Sequence, residues 1–398
     1  MAEAPWITII GLTEDGPEGL APASARALAE AEIIMGPKRH LGLLPEDGRQ
    51  RIEWPVPFAE GIEVLAGLRG RQVAVLVSGD PFWYGAGRAI SRAFAAEDWR
   101  AFPAPSAFSL AAARMAWPLE EVLCIGLHAA PLARLRRELS AGLRAIVLLR
   151  DGAAVADLAT FVEAQGFGDS ILTVCEALGG PRERVQRCDV ATAQAGGFTA
   201  PVCVALEVAG EGAAIPRASG LPDEMFETDG VMTKRPVRAL TLSALAPRAG
   251  EHLWDLGGGS GSIAVEWALA HPRCSASVVE LREDRVALIR ANAERFGVDR
   301  IGVHQGDTLA MLDSLPAPHA VFVGGGLSDA LLDRLTVLPP GTRLVANGVT
   351  LEAEALLATA QERHGGELMR IDLAHAKPLG AKRAWAQAYP VAQWNVVL

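Results

Sequence analysis

The run HLWDLGGGSGSIAVEWALA, residues 252–270, constrains this chain more than any other stretch. A short apolar segment ends on an acid and a leucine. Glycines follow, and then a helical pattern of small and apolar residues begins. Strand, glycine turn and helix in that order, repeated along the chain, imply an α/β layer architecture. The same alternation runs on both sides of it. Strands are expected at 6–11, 72–80, 145–150, 170–178 and 200–210, with a helix and then a strand within 22–36 and a helix at 106–116. Beyond 230, helices are expected at 235–247, 261–271, 283–297 and 351–365. Strands are expected there at 251–257, 274–281, 301–307, 319–326 and 343–349, and 367–376 with 384–398 as a closing antiparallel pair.

Between the two series lies EGAAIPRASGLPDEMFETDG, residues 211–230, rich in Gly, Pro and acids and without a sustained period. The reading is therefore an α/β chain of two domains, 1–210 and 221–398, joined by a linker at 211–220. At 398 residues the chain is long enough for two cores. The net charge of −10 disfavours a nucleic-acid partner for the whole chain. No apolar run approaches the ~20 residues of a bilayer span, and the N-terminus lacks the pattern of a secretory signal, so a cytoplasmic place is expected. Five scattered cysteines without a CxxC pair suit neither a disulfide framework nor a metal site; buried, reduced thiols and no metal are expected.

In the second domain the spacing is Asp255-x-Gly257-x-Gly259-x-Gly261. Such a loop lets a nucleotide approach backbone, and two cofactors compete for it. A dinucleotide such as NAD would set its pyrophosphate at the helix N-terminus. S-adenosylmethionine has no phosphate and carries an amino group that Asp255 can help to hold, so the acid favours the sulfonium donor. Glu280 ends the next strand, where a carboxylate can accept both ribose hydroxyls. Asp307 ends the strand after that, where an acid can face the adenine amino group. No pair of residues typical of a dehydrogenase accompanies the loop.

This half resembles the seven-stranded class I methyltransferases. Within them it is similar to the decarboxylating precorrin methyltransferases of cobalamin biosynthesis, through residues 221–245, 255–268, 321–326 and 345–352. Met232-Thr233-Lys234 is the most distinctive element; the resemblance implies that it covers the donor, with Thr233 at the cofactor. The first half resembles the two-lobed tetrapyrrole methylases. The pieces that carry this are the strand ending at Gly11, the turn Gly79-Asp80-Pro81, the segment from Ser106, and CEALGGPRERVQRCDV at 175–190. That resemblance implies a second donor site in the cleft between lobes, framed by Gly11, Gly79 and Asp80 with Ser106 on the donor side. The first loop, GLTEDGPEG, departs from the family's more regular GxGPGD form.

Together the two resemblances imply one S-adenosylmethionine site per domain and methylation of a corrin precursor at C5 and C15. They also imply loss of an acetate carboxyl group and a homo-oligomer. C15 and the decarboxylation fall to the C-terminal domain and C5 to the N-terminal one. An RNA methyltransferase is the alternative, disfavoured by the acidic charge and the lack of a basic aromatic platform. A sulfonium leaving group is already activated, and the residues nominate no catalytic acid or base; lone histidines such as His252 and His304 read as structural. Lys234, Arg235, Arg238 and Lys377 are candidates to meet substrate carboxylates, with a solvated charged face the competing reading for each. The glycines at 324–326 are expected to leave room for a flat macrocycle, with a flexible loop as the competing reading.

Overall fold

A computed structural model describes residues 5–398, which divide into two units. One comprises the residues up to Pro131 together with Leu139–Ala213; the other comprises Leu132–Glu138 and Ala214–Leu398.

The first unit holds two five-stranded sheets. Strands β1 (Ile7–Leu12), β2 (Ile33–Gly36), β3 (Gln50–Glu53), β4 (Val73–Ser78) and β5 (Trp99–Phe102) form a parallel sheet in the order β3-β2-β4-β1-β5. Its side chains sort by the two-residue period of a strand. Ile7, Ile9, Met35, Val73 and Val75 fill one core, while Ile10, Ile34, Ala74 and Leu76 fill another on the opposite face. Both faces are therefore apolar, as a parallel sheet between helical layers demands. The second sheet contains β6 (Leu123–Gly126), β7 (Arg144–Leu148), β8 (Ile171–Glu176), β9 (Arg184–Asp189) and β10 (Val202–Glu207), in the order β6-β7-β10-β8-β9. It is mixed: β6 runs parallel to β7, and the other pairs are antiparallel. The short strands β3, β5 and β6 carry half-exposed residues, so neither a sustained apolar run nor a clean alternation announces them in sequence.

The second unit is a seven-stranded sheet in the order β13-β12-β11-β14-β15-β19-β16. Its strands are β11 (His252–Leu256), β12 (Ser275–Glu280), β13 (Ile301–Gln305), β14 (Ala320–Val323), β15 (Arg343–Gly348), β16 (Glu367–Ile371) and β19 (Val391–Val397). The five from β13 to β15 are parallel, and β19 inserts antiparallel between β15 and β16. The closing antiparallel pair is β16 with β19. The expected bounds need correction: residues 374–387 leave the sheet as a separate hairpin of β17 (Ala374–Leu379) and β18 (Lys382–Gln387). The exposure of β17 and β18 accounts for this, because they have no apolar face to bury in the sheet. Helix Arg235–Leu245 buries Val237, Leu242 and Leu245, and Ser262–Ala270 is buried nearly all round.

Cys175, Cys188, Cys203 and Cys274 are buried free thiols, whereas Cys124 is half-buried. Among the described residues, no helix is long and apolar enough to cross a membrane.

Candidate functional site

Strand β11 lies next to the middle of its sheet, and its carboxyl end opens into a cavity of about 1380 Å³. The loop that follows is built from left-handed backbone: φ is +75° at Gly257, +57° at Gly259 and +74° at Gly261. A side chain at Gly257 would also stand 2.8 Å from the Gly325 nitrogen. The amides of Gly257 and Gly258 both donate to the Val279 carbonyl, at 3.0 and 3.1 Å. This bends the loop over the end of β12 and leads it into the helix from Ser262.

Glu280, at the end of β12, is only 6% exposed yet reaches the cavity wall. One carboxylate oxygen accepts the Gly259 N–H at 2.9 Å and the other accepts the Arg282 N–H at 3.0 Å. Each keeps lone pairs for a further donor. Asp307 also lines the cavity and accepts the Ala310 N–H at 3.1 Å as the cap of the next short helix. Thr233 stands in the wall with Met232 and Lys234. Its carbonyl accepts a 2.6 Å hydrogen bond from Arg238, which fixes the covering segment.

Asp255 is placed differently from these wall residues. It lies beneath the loop, 1% exposed. One oxygen accepts the Ala264 N–H at 3.1 Å, while Oδ1 is buried without a protein partner. Burial pushes its carboxyl up to about 7; the Ala264 hydrogen bond opposes this, and the negative charge of Glu280 adds to it. Asp255 Oδ1 therefore keeps acceptor capacity for a further donor.

The basic candidates separate. Lys234 lines the cavity. Arg238 is fully buried against Glu266 and Asp223, so it is neither a substrate contact nor a solvated charge. Arg235 and Lys377 are exposed outside the cavity wall. Arg282 and Arg285, which the sequence reading passed over, do line it. Their signal was position: both follow Glu280 at the carboxyl end of β12, where open parallel sheets bind ligands. Gly324, Gly325 and Gly326 form part of the wall, and a side chain at Gly325 would meet nothing within 4 Å. His252 is satisfied by Ser275 and Ser277, at 2.8 and 3.0 Å.

The first unit has its own cavity, of about 710 Å³. Gly79, Asp80 and Ser106 line it. Asp80 accepts the Phe82 N–H at 2.8 Å, and Ser106 caps the helix Ala107–Met115 through the Ser109 N–H at 3.1 Å. Gly11 is not in the wall. A side chain there would lie 2.0 Å from the Gly79 carbonyl oxygen, so its bareness lets β1 approach the Gly79 turn. The sequence reading missed the aromatic wall of Trp54, Phe58, Trp83, Tyr84 and Phe108, and the polar group of Glu14, Arg39 and His40. The run PFWYG at 81–85 was the available signal for the wall.

Comparison with known proteins bears on both cavities. Residues 224–398 match the precorrin methyltransferase domain model, and residues 7–194 match that of the tetrapyrrole (corrin/porphyrin) methylases. A Sinorhizobium protein named precorrin-6Y C(5,15)-methyltransferase [decarboxylating] is 46% identical over 98% of this chain and 96% of its own length. The chain belongs to the decarboxylating precorrin-6Y C5,15-methyltransferase family. A shorter family relative, a probable cobalt-precorrin-6B C(15)-methyltransferase (decarboxylating) of Pyrobaculum aerophilum, is 36% identical over 43% of this chain and 92% of its own. The solved C-terminal domain of the Rhodobacter capsulatus precorrin-6Y C5,15-methyltransferase is 51% identical, covering 46% of this chain and all of its own, with a TM-score of 0.45.

Proposed function

We propose that this chain methylates a precorrin-6Y-like corrin precursor at C5 and C15 and decarboxylates one acetate side chain, giving precorrin-8, with S-adenosylmethionine as donor. The observation that carries the reading is the convergence on one cavity of the left-handed glycine loop, Glu280 and the Met232-Thr233-Lys234 segment. Bound S-adenosylmethionine supplies a methyl group on a positively charged sulfur, activated for in-line displacement. The chain's task is then alignment more than activation.

In the C-terminal cavity Glu280 would accept the ribose hydroxyls, Asp307 would face the adenine and Thr233 would cover the donor; Asp255, beneath the loop and outside the cavity wall, would in its ionised form balance the donor's ammonium group. Gly257 and Gly259 would let backbone close on the donor; Gly261 lies outside the wall, where a side chain would stand 2.9 Å from Ile289. Ligand sites commonly measure ~300–1,000 Å³, so about 1380 Å³ leaves space for a second molecule beside the donor. Lys234 places positive charge in the wall for the carboxylates of that second molecule, whereas Arg282 and Arg285 are paired with Asp284 and Asp229. We assign C15 methylation and decarboxylation to this unit, a reading supported by the shorter relative that carries only that name. The first unit, with Gly79, Asp80 and Ser106 in its cavity wall and Gly11 behind the turn, is assigned a second donor site and C5.

The reading makes the partner a small molecule rather than a nucleic acid, and we take the enzyme to act in the cytoplasm as a homo-oligomer. Sedimentation would test the oligomeric state. The deciding experiment supplies the full chain with precorrin-6Y and methyl-labelled donor, maps the labelled carbons by NMR and collects released carbon dioxide. Label at C5 and C15 is expected; absence of label from both positions sinks the reading. In parallel titrations S-adenosylhomocysteine should bind and NADH should not.

A further inference from the structure

Three neighbouring parallel strands of the first sheet, β2, β4 and β1, each deliver polar groups to the same cavity beyond their carboxyl ends. After β2 the chain turns at Pro37 into the single helical turn Lys38–Leu41, which carries Arg39 and His40. Strand β4 ends at Ser78, and Glu14 follows β1. The Arg39 guanidinium sits among all of them. One of its nitrogens, Nη2, donates to Nε2 of His40 at 2.8 Å and to the Ser78 hydroxyl at 2.9 Å. Its other terminal nitrogen, Nη1, pairs with Glu14.

Two details set this cluster apart from an ordinary surface ion pair. A guanidinium only donates, so Nε2 of His40 must be the bare nitrogen and the ring proton must sit on Nδ1. Burial, aided by the charge of Arg39, holds that ring neutral. His40 is thus a fixed acceptor, 1% exposed, behind an arginine whose side chain is 34% exposed. The second detail is the charge count. Glu14, 7% exposed, is shared between Arg39 and Arg182, the latter at 3.3 Å. Two guanidinium groups on one carboxylate leave one positive charge over in this cluster; Arg182 lies outside the cavity wall, and Asp80 is the other carboxylate within it. The other arginine in the cavity wall, Arg150, is paired with Asp151 at 2.8 Å.

Much of the rest of the wall is flat and aromatic, with Asp80, Ser106 and His128 among its polar members. Trp54 stacks on Phe58 with ring centroids 4.8 Å apart, and Trp83 lies 4.7 Å from Phe108. Phe58, Trp83 and Tyr84 keep a third or more of their surface open. Aromatic planes beside one surplus guanidinium match a planar ring with an anionic edge.

We propose that Arg39 binds a side-chain carboxylate of the macrocycle in the N-terminal cavity, and that His40 is the residue that positions it. The inference rests on the functional reading above. Arg39 keeps its Nε–H and one Nη1–H as single charge-assisted donors on a fixed guanidinium. Protonation or loss of His40 removes the acceptor that aims them.

The test uses the full chain and steady-state kinetics of methyl transfer to C5 of precorrin-6Y, comparing Arg39→Gln, Arg39→Lys, His40→Leu and His40→Gln. A lost charge-assisted contact corresponds to ~10–100-fold in affinity. Arg39→Gln should raise KM for the tetrapyrrole by about that factor with kcat changed less than ~3-fold. Arg39→Lys should fall between it and wild type. His40→Leu should raise KM by a smaller factor, and His40→Gln, which keeps an acceptor, should recover part of the loss. Affinity for S-adenosylhomocysteine should stay within ~2-fold throughout. If Arg39→Gln fails to fold, Arg39→Lys decides the matter through the same KM. An unchanged KM in folded Arg39 variants, or a fall confined to kcat, overturns the assignment while leaving the function intact. Failure of wild-type protein to methylate C5 or C15 overturns the function instead.

Discussion

Arg238 donates from Nε to Glu266 at 2.5 Å, and both side chains are buried. The same Arg238 donates to the Leu221 and Thr233 carbonyls, and Glu266 accepts the amides of Gly220 and Leu221 at 2.7 and 2.9 Å. One buried pair thus ties residues 220–233, the segment that covers the cavity, to the helix behind the glycine loop. Removing one partner strands the other charge, which costs about 3–5 kcal/mol. Arg238→Met should lose that much in urea denaturation, and Arg238→Met with Glu266→Leu should recover part of it. Full recovery is not expected, because the Gly220 and Leu221 amides lose their acceptor.

Donor binding against Asp255, as proposed above, should be proton-linked. Its folded carboxyl titrates near 7, against an ordinary 3.8. Below pH 7 the ligand-free protein holds a proton there, and a cationic group nearby expels it. S-adenosylhomocysteine binding at pH 6 should release a proton, seen as a dependence of the calorimetric heat on buffer ionisation enthalpy. The release should fade well above pH 7 and vanish in Asp255→Asn. The linkage also has a sign for stability. Between 3.8 and about 7 the native state binds more protons than the unfolded state, so this group's contribution falls as pH rises through that window. Asp255→Asn should therefore gain stability relative to wild type at pH 8 compared with pH 4.

The glycines of the C-terminal cavity should divide by mutation. Gly257→Ala adds a side chain at φ +75° and 2.8 Å from the Gly325 nitrogen. It should cost ~1–3 kcal/mol and weaken S-adenosylhomocysteine binding at least ~10-fold. Gly325→Val meets open space instead, so its melting temperature should match wild type. Donor binding should be spared while tetrapyrrole turnover falls; unchanged turnover would remove Gly325 from the substrate's path.

His40 should shape the acid limb of stability. Burial first, and then Arg39, push its ring down to about 3 from 6.5. The unfolded chain takes up a proton between those values that the native state refuses, so stability falls as pH drops from 6.5 towards 3. His40→Leu should lose less stability than wild type between pH 7 and pH 4 in urea titrations.

Much of the second unit was legible in the residues. Asp255, Glu280 and Asp307 stand at the ends of successive strands because the two-residue period and the strand–glycine–helix order place them there. Thr233 also reaches the wall, although only the family resemblance pointed to it. Arg238 was misjudged, since a charged residue in a helix gives no sign of its burial until the facing Glu266 is known. Lys377 fell on a hairpin that pairs with itself outside the sheet, a fact about strand neighbours. The first unit was read more thinly. Its site is assembled from Glu14, Arg39, Ser78 and aromatic residues that are distant in sequence and unremarkable singly.

By itself, then, the sequence determined the alternation of strands and helices, the break near 211–230 and the glycine loop with its acids, because these rest on local period and backbone freedom. Only the tertiary structure decided that Leu132–Glu138 packs with the second unit, that Asp255 lies orphaned under its loop, and that Arg39 rests on a neutral histidine. Burial, charge pairing and cavity shape arise from residues far apart in the chain, and no short window of sequence contains them.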